Sequence, residues 1–243
     1  MNCSLLPLGC ARYAHHASAF AVALLCIFSG SRATATTVSF SGTSSDGHAV
    51  AGTAGFTLGA GTATVTLTNT TTTTHDAGEL FTGLDFSLGG LTPTLSTKTG
   101  IERTVAGNGS FSDTGSAQNI TWSLVSLGSG SYQLNFNPDA TDAILGPPTS
   151  GSYATANNSI DGNGGHNPFV ALSATFVLNV PGLTSNTSLS VTKFRFGTTL
   201  DAATGTITVG NPPPPPFPEP STCVLMLTAI ALTSLPRLCR VWK

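Results

Sequence analysis

The chain has 243 residues and a formal net charge of −2, and only 8% of its residues are charged, against roughly 25% in average soluble proteins. From Thr36 to Gly210 four cations (Lys98, Arg103, Lys193 and Arg195) face ten acids, a balance of −6 with histidine neutral, which excludes the basic footprint that nucleic-acid binding needs. All five cysteines (Cys3, Cys10, Cys26, Cys223 and Cys239) lie in the terminal segments, so the region between them uses no disulfide, thiolate ligand or catalytic cysteine.

The first segment carries Arg12 and His15-His16, then the apolar stretch ASAFAVALLCIF, then the small-residue site Ala33-Thr34-Ala35. That order of charge, apolar core and A-x-A is the pattern of a secretory signal peptide over residues 1–35, with cleavage expected after Ala35. It implies a signal-peptide helix, passage through the Sec translocon, and a mature chain that begins near Thr36.

From Thr36 to Gly210 the main signal is alternation. GTATVTLTNT places Ala63, Val65 and Leu67 on one face, and ELFTGLDFSL does the same with Leu80, Leu84, Phe86 and Leu88, Thr82 being in phase. NITWSLVSL and SYQLNFN read as a hairpin turning at Gly128-Ser129-Gly130, with Ile120, Trp122 and Leu124 sharing a face with Tyr132, Leu134 and Phe136. FVALSATFVLNV alternates through Val170, Leu172, Ala174, Phe176, Leu178 and Val180. In TSLSVTKFRF the phase of Leu189 and Val191 differs from that of Phe194 and Phe196, which predicts a bulge near Thr192-Lys193. TGTITVG closes the body. About ten strands without an amphipathic helix predict an all-β, jelly-roll-like β-sandwich over 36–210, flanked by the signal helix and a short C-terminal transmembrane helix.

Candidate chemistry within the body is sparse. Asp161 and Asn163 offer oxygens two residues apart among glycines, a partial calcium-loop pattern without the closing glutamate. His48, His75 and His166 lack metal-ligand spacing, although Asp46 and Asp76 stand close in sequence to the first two. No G-x-S-x-G elbow occurs. Trp122, Tyr132 and Tyr153 are the aromatics considered for sugar stacking; the first two are in phase with the core, and Tyr153, in the long loop from Leu145 to Pro168, is the surface candidate. These features call for no enzyme, cofactor or resident metal.

Residues 211–217 form a proline-rich spacer, because Pro212 to Pro216 neither continue a helix nor donate to a sheet. Residues 218–243 follow: Pro218-Glu219-Pro220-Ser221, an apolar stretch predicted as a helix over 222–236, and a basic tail at 237–243 carrying Arg237, Arg240 and Lys243. From Thr222 to Leu235 such a helix is about 21 Å long, below the roughly 30 Å of the hydrocarbon layer, and its flanking cations stay cytoplasmic. This short motif, apolar helix and basic end resemble the PEP-CTERM sorting signal of bacterial exosortase substrates. The resemblance covers about the last tenth of the chain. It implies recognition of Pro218 to Ser221 by a membrane-embedded exosortase, transient inner-membrane anchoring with Arg237, Arg240 and Lys243 as the stop, loss of the tail, and delivery to the cell surface or exopolysaccharide matrix. The expected role is structural or adhesive; a carbohydrate-binding module is the alternative, and an extracellular hydrolase the less favoured one.

Overall fold

The computed structural model describes residues 33–44, 46–136, 141–162, 164–198 and 203–210; both expected terminal helices lie outside them. The strands are β1 (Thr34–Thr43), β2 (Ala49–Leu58), β3 (Thr62–Asn69), β4 (Phe81–Leu88), β5 (Thr94–Val105), β6 (Phe111–Asp113), β7 (Gln118–Asn119), β8 (Ser123–Gly128), β9 (Ser131–Asn135), β10 (Ile144–Leu145), β11 (Phe169–Asn179), β12 (Leu189–Phe196) and β13 (Thr204–Val209). A single 3₁₀ turn, Ala77–Glu79, accompanies them among the described residues. The region is therefore all-β, as the alternation predicts.

The strands form one large mixed sheet system in the order β13-β1-β2-β3-β11-β10-β4-β9-β8, with β12 beside β4, β5 beside β11, and β6 and β7 beside β5. Its pairings are antiparallel except for the parallel match of Ile144 with Val170 and Leu145 with Ala171, so β10 carries the system from β11 across to β4. The aromatic rings meet both between strands that are far apart in this order and between the neighbours β4 and β12. Phe40 of β1 stacks on Phe194 and Phe196 of β12 at 5.3 and 5.9 Å, and Phe81 of β4 lies 5.0 Å from Phe196. Phe56 of β2 approaches Phe86 of β4 at 5.9 Å, and Trp122 approaches Phe176 of β11 at 5.2 Å. These rings form the middle of one contiguous core.

Small residues make room for them. Gly42 pairs with Gly205 across β1 and β13, and a Cβ on either would stand within 2.9 Å of the Phe40 ring tip. A Cβ on Gly52 would press on Phe81 and Phe196 at 3.1 and 3.2 Å.

The expected hairpin is present: β8 and β9 turn through Ser129 and Gly130, both at positive φ, and Leu124 pairs with Leu134. The bulge at Thr192 is present too, since the register against β4 passes from Val191–Phe86 directly to Lys193–Asp85. The unbroken alternation expected of β11 is corrected. Its pairing with β5 jumps from Val170–Glu102 to Ala174–Gly100, so Ala171 to Ser173 stand opposite Ile101 alone. The phase resets there: Leu172 takes a φ of +63° and is 39% exposed, while Phe169 and Val170 are both buried. A β-branched or bulky residue in this left-handed region is strained, and Leu172 is held in it by regular pairing on either side.

The ring stack generates a stability prediction. Phe81 is fully buried and touches both Phe194 and Phe196. Phe81→Ala is expected to cost about 3–5 kcal/mol in equilibrium urea unfolding, with an unchanged dependence on urea. A loss below about 1 kcal/mol would show that the stack does not organise the core.

Candidate functional site

The polar run after β3 is tied to the rest of the fold through Asn69 and Thr71. Asn69 donates through Nδ2 to the carbonyls of Glu79 and Ile144 at 2.8 and 3.0 Å, and its Oδ1 accepts from the Thr71 amide. Thr71 in turn exchanges hydrogen bonds with the Ala51 backbone. This seating delivers His75, Asp76 and Glu79 to the start of β2, where His48 stands.

Asp76 caps the 3₁₀ turn by accepting from the Gly78 amide at 2.7 Å, and Glu79 Oε2 accepts from the His75 and Asp76 amides in return. Two acceptor oxygens then remain for imidazoles. His48 Nε2 lies 2.7 Å from Asp76 Oδ2, and Glu79 Oε1 lies 4.0 Å from His48 Nδ1 and 3.6 Å from His75 Nδ1. Asp46 also approaches, its Oδ2 2.8 Å from where a Cβ on Gly78 would stand, so a side chain at this position would push the Asp46 carboxylate aside. The chain thus gathers three carboxylates and two half-exposed histidines, and His48 pairs with Asp76 across the fold instead of with its sequence neighbour Asp46. The hydroxyls beside the group are occupied with backbone amides: Ser44 Oγ accepts from His48, and Ser159 Oγ accepts from Ala77. The network fastens the 44–48 turn to the 75–79 turn. Among the described residues no group of three or more His, Cys, Asp or Glu is arranged to hold a metal ion.

A second polar centre fixes the long loop. Arg103 of β5 makes a two-point contact with Asp113 of β6 at 2.6 and 2.7 Å, donates to Tyr153 Oη at 3.0 Å, and lies 4.0 Å above the Phe111 ring. Tyr153 Oη donates to the Gly146 carbonyl at 2.7 Å. Tyr153 is therefore fully buried, which corrects its reading as an exposed stacking ring: the loop folds down over β5 and β6, and the guanidinium supplies the phenol with a polar partner. Trp122 and Tyr132 are buried as their phase predicts. Hydrogen bonding from Arg103 holds the Asp113 carboxyl below its usual value against the opposing effect of burial. Burial pushes the Tyr153 phenol up, with Arg103 pulling the other way.

Asp161 Oδ1 accepts from the Gly109 amide at 3.0 Å, and Asn163 lies outside the described residues. Pro218, Glu219, Pro220, Ser221, Arg237, Arg240 and Lys243 also lie outside them. Ala33 precedes β1 and is exposed, whereas Ala35 is the second residue of β1 and pairs with Thr57. Among the described residues no helix is long and apolar enough to cross a membrane. No protein family, curated protein or solved structure matches this chain.

The Tyr153 environment carries a pH signature. A phenol raised above its ordinary 10.0 by folding stabilises the fold below that pH, and this contribution disappears as pH rises through the folded value. Tyr153→Phe is expected to lower the urea midpoint at neutral pH, yet to lose less stability than the parent chain between about pH 9 and 11. Equal losses in the two proteins would remove the phenol from the account.

Proposed function

We propose that this chain is an exported bacterial surface or extracellular-matrix protein with a structural or adhesive role in the envelope or exopolysaccharide. Residues 1–35 lead it through the Sec translocon, and an exosortase sorts it through residues 218–243. The body is a jelly-roll-like β-sandwich held outside the membrane by the 211–217 spacer during transient inner-membrane anchoring.

The single observation that carries this reading is the order of the tail: Pro218-Glu219-Pro220-Ser221, a short apolar run from Thr222, and the cations Arg237, Arg240 and Lys243, on a chain whose other end has the order of a signal peptide. Two prolines hold Glu219 in extended backbone, a form that an enzyme cleft can take in. A structural role is favoured over sugar binding by the fate of the aromatics. Every aromatic among the described residues is buried except Phe111, which is half-buried beneath Arg103, so no described ring offers a flat exposed stacking surface.

Glu219→Ala is expected to leave the full-length protein in the inner-membrane fraction of the native host, where the parent chain is shortened and released. Normal shortening and release of the variant on fractionation and immunoblotting would refute exosortase sorting.

A further inference from the structure

Sheet edges differ sharply in how they are protected. A free edge presents unpaired amides and carbonyls, and proteins blunt it with charge, bulges, proline or brevity. The β12 edge carries the exposed Lys193 and the bulge at Thr192. The β8 edge is bulged at Leu127, between the pairs Ser126–Tyr132 and Gly128–Ser131. Beside β5 the edge is broken into β6 and β7, of three and two residues, with Asp113 on the first.

Strand β13 has none of these devices. Its six residues, TGTITV, hold no charge and no proline, and pair with β1 in unbroken register from Thr43–Thr204 to Val38–Val209. Ile207 and Val209 stand opposite Phe40 and Val38 and so continue the core face of β1 outward. Val209 is 64% exposed, the most exposed large apolar side chain among the described residues. The charge distribution selects the occupant. The body is acidic overall, so two copies repel one another, yet β13, β1, β2 and β3 contain no charged residue. This neutral stretch is where two such bodies can approach most closely.

We propose that β13 is a self-association edge, at which two copies of this chain pair their β13 strands antiparallel about a two-fold axis through Ile207. A two-fold axis normal to the sheet keeps opposed residues on the same face. Ile207 then meets the partner's Ile207, Thr206 meets the partner's Thr208, and Gly205 leaves room for the partner's Val209. The apolar residues of both copies meet on one face and the threonines on the other. Pairing ends at Gly210, whose amide is bonded to the Thr37 carbonyl, because Pro212 to Pro216 have no amide to offer. This inference goes beyond the sorting reading and does not rest on it.

The test is sedimentation of the full-length chain in a nonionic detergent that keeps the apolar ends dispersed. The parent chain is expected to dimerise, Ile207→Lys and Ile207→Glu each to raise the dissociation constant at least about tenfold, and an equal mixture of the two to restore the dimer. A monomeric parent, a dimer that either substitution leaves intact, or a mixture that stays monomeric would each overturn the proposal. Should the Ile207 variants fail to fold, the exposed threonines decide. With the five native cysteines replaced by serine, Thr206→Cys and Thr208→Cys chains are expected to cross-link when mixed and oxidised, and neither alone. Failure of the mixed pair to cross-link overturns the proposed register and the dimer with it.

Discussion

The fold depends on the stack of Phe40, Phe81, Phe194 and Phe196, because it joins the first strand of the body to the fourth and the twelfth. The body has no cysteine and therefore no cross-link in its unfolded ensemble, so the entropy of ordering it has to be offset by burial. Phe40 and Phe81, each packed against Phe194 and Phe196, concentrate that burial between segments more than a hundred residues apart. The glycines beneath them are part of the same device. Gly42, Gly205 and Gly52 lower the pleat where the rings lie, and each would otherwise place a Cβ within 3.1 Å of one. A composition rich in glycine and threonine is thus compatible with a dense core, since the small residues of one strand are the sockets for the large residues of another.

The few charges are used inward. Arg103 holds Asp113 and Tyr153 beneath the long loop, and Arg195 makes a two-point contact with Asp85, which also accepts from Gln133. Lys98 donates to the Trp122 carbonyl at 2.6 Å. Three of the four cations of the body are therefore committed to positions where losing one partner would strand the other in a poorly hydrated site. What this leaves on the described surface is dominated by hydroxyl and backbone, with few charges such as Lys193 and a few exposed aliphatic side chains such as Val209. A surface of this kind favours contacts made through sheet edges and hydrogen bonding over salt-bridged ones.

The fold class was legible in the sequence because period-two alternation is a local property. The bulge at Thr192 was legible for the same reason, as a change of phase within eight residues. The reset at Leu172 was not, since apolar residues continue through it and only the partner strand reveals the three-against-one count. Strand β5 was also hard to read: it carries Lys98, Glu102 and Arg103, and the partners that accommodate Lys98 (Trp122) and Arg103 (Asp113 and Tyr153) lie on other elements. The same limit applies to the polar sites. His48 and His75 could each be seen beside an acid, but the pairing of His48 with Asp76 requires the return of the chain after β3, which Asn69 and Thr71 secure through bonds to distant carbonyls. The sign for Tyr153 was misleading because a long glycine-bearing loop resembles exposed chain, and no sequence feature announces that a guanidinium waits beneath it.

The position of the two ends within the sheet bears on how the body would tolerate the processing proposed for it. Strand β1 pairs with β2 from Thr34 onward, whereas its pairing with β13 begins only at Val38. Cleavage after Ala35 would therefore remove two pairs with β2, Thr34–Leu58 and Ala35–Thr57, and none with β13. At the other end, the Gly210 amide closes the last bond to Thr37, and the spacer begins at the next residue. Both expected cuts thus fall outside the antiparallel match of Val38–Thr43 with Thr204–Val209, and the Phe40 stack sits within it. A body built this way keeps its first and last strands locked together with or without its terminal segments. The same arrangement leaves the outer edge of β13 without a paired strand among the described residues, so the tail processing proposed above would act close in sequence to a strand that carries no charge, bulge or proline.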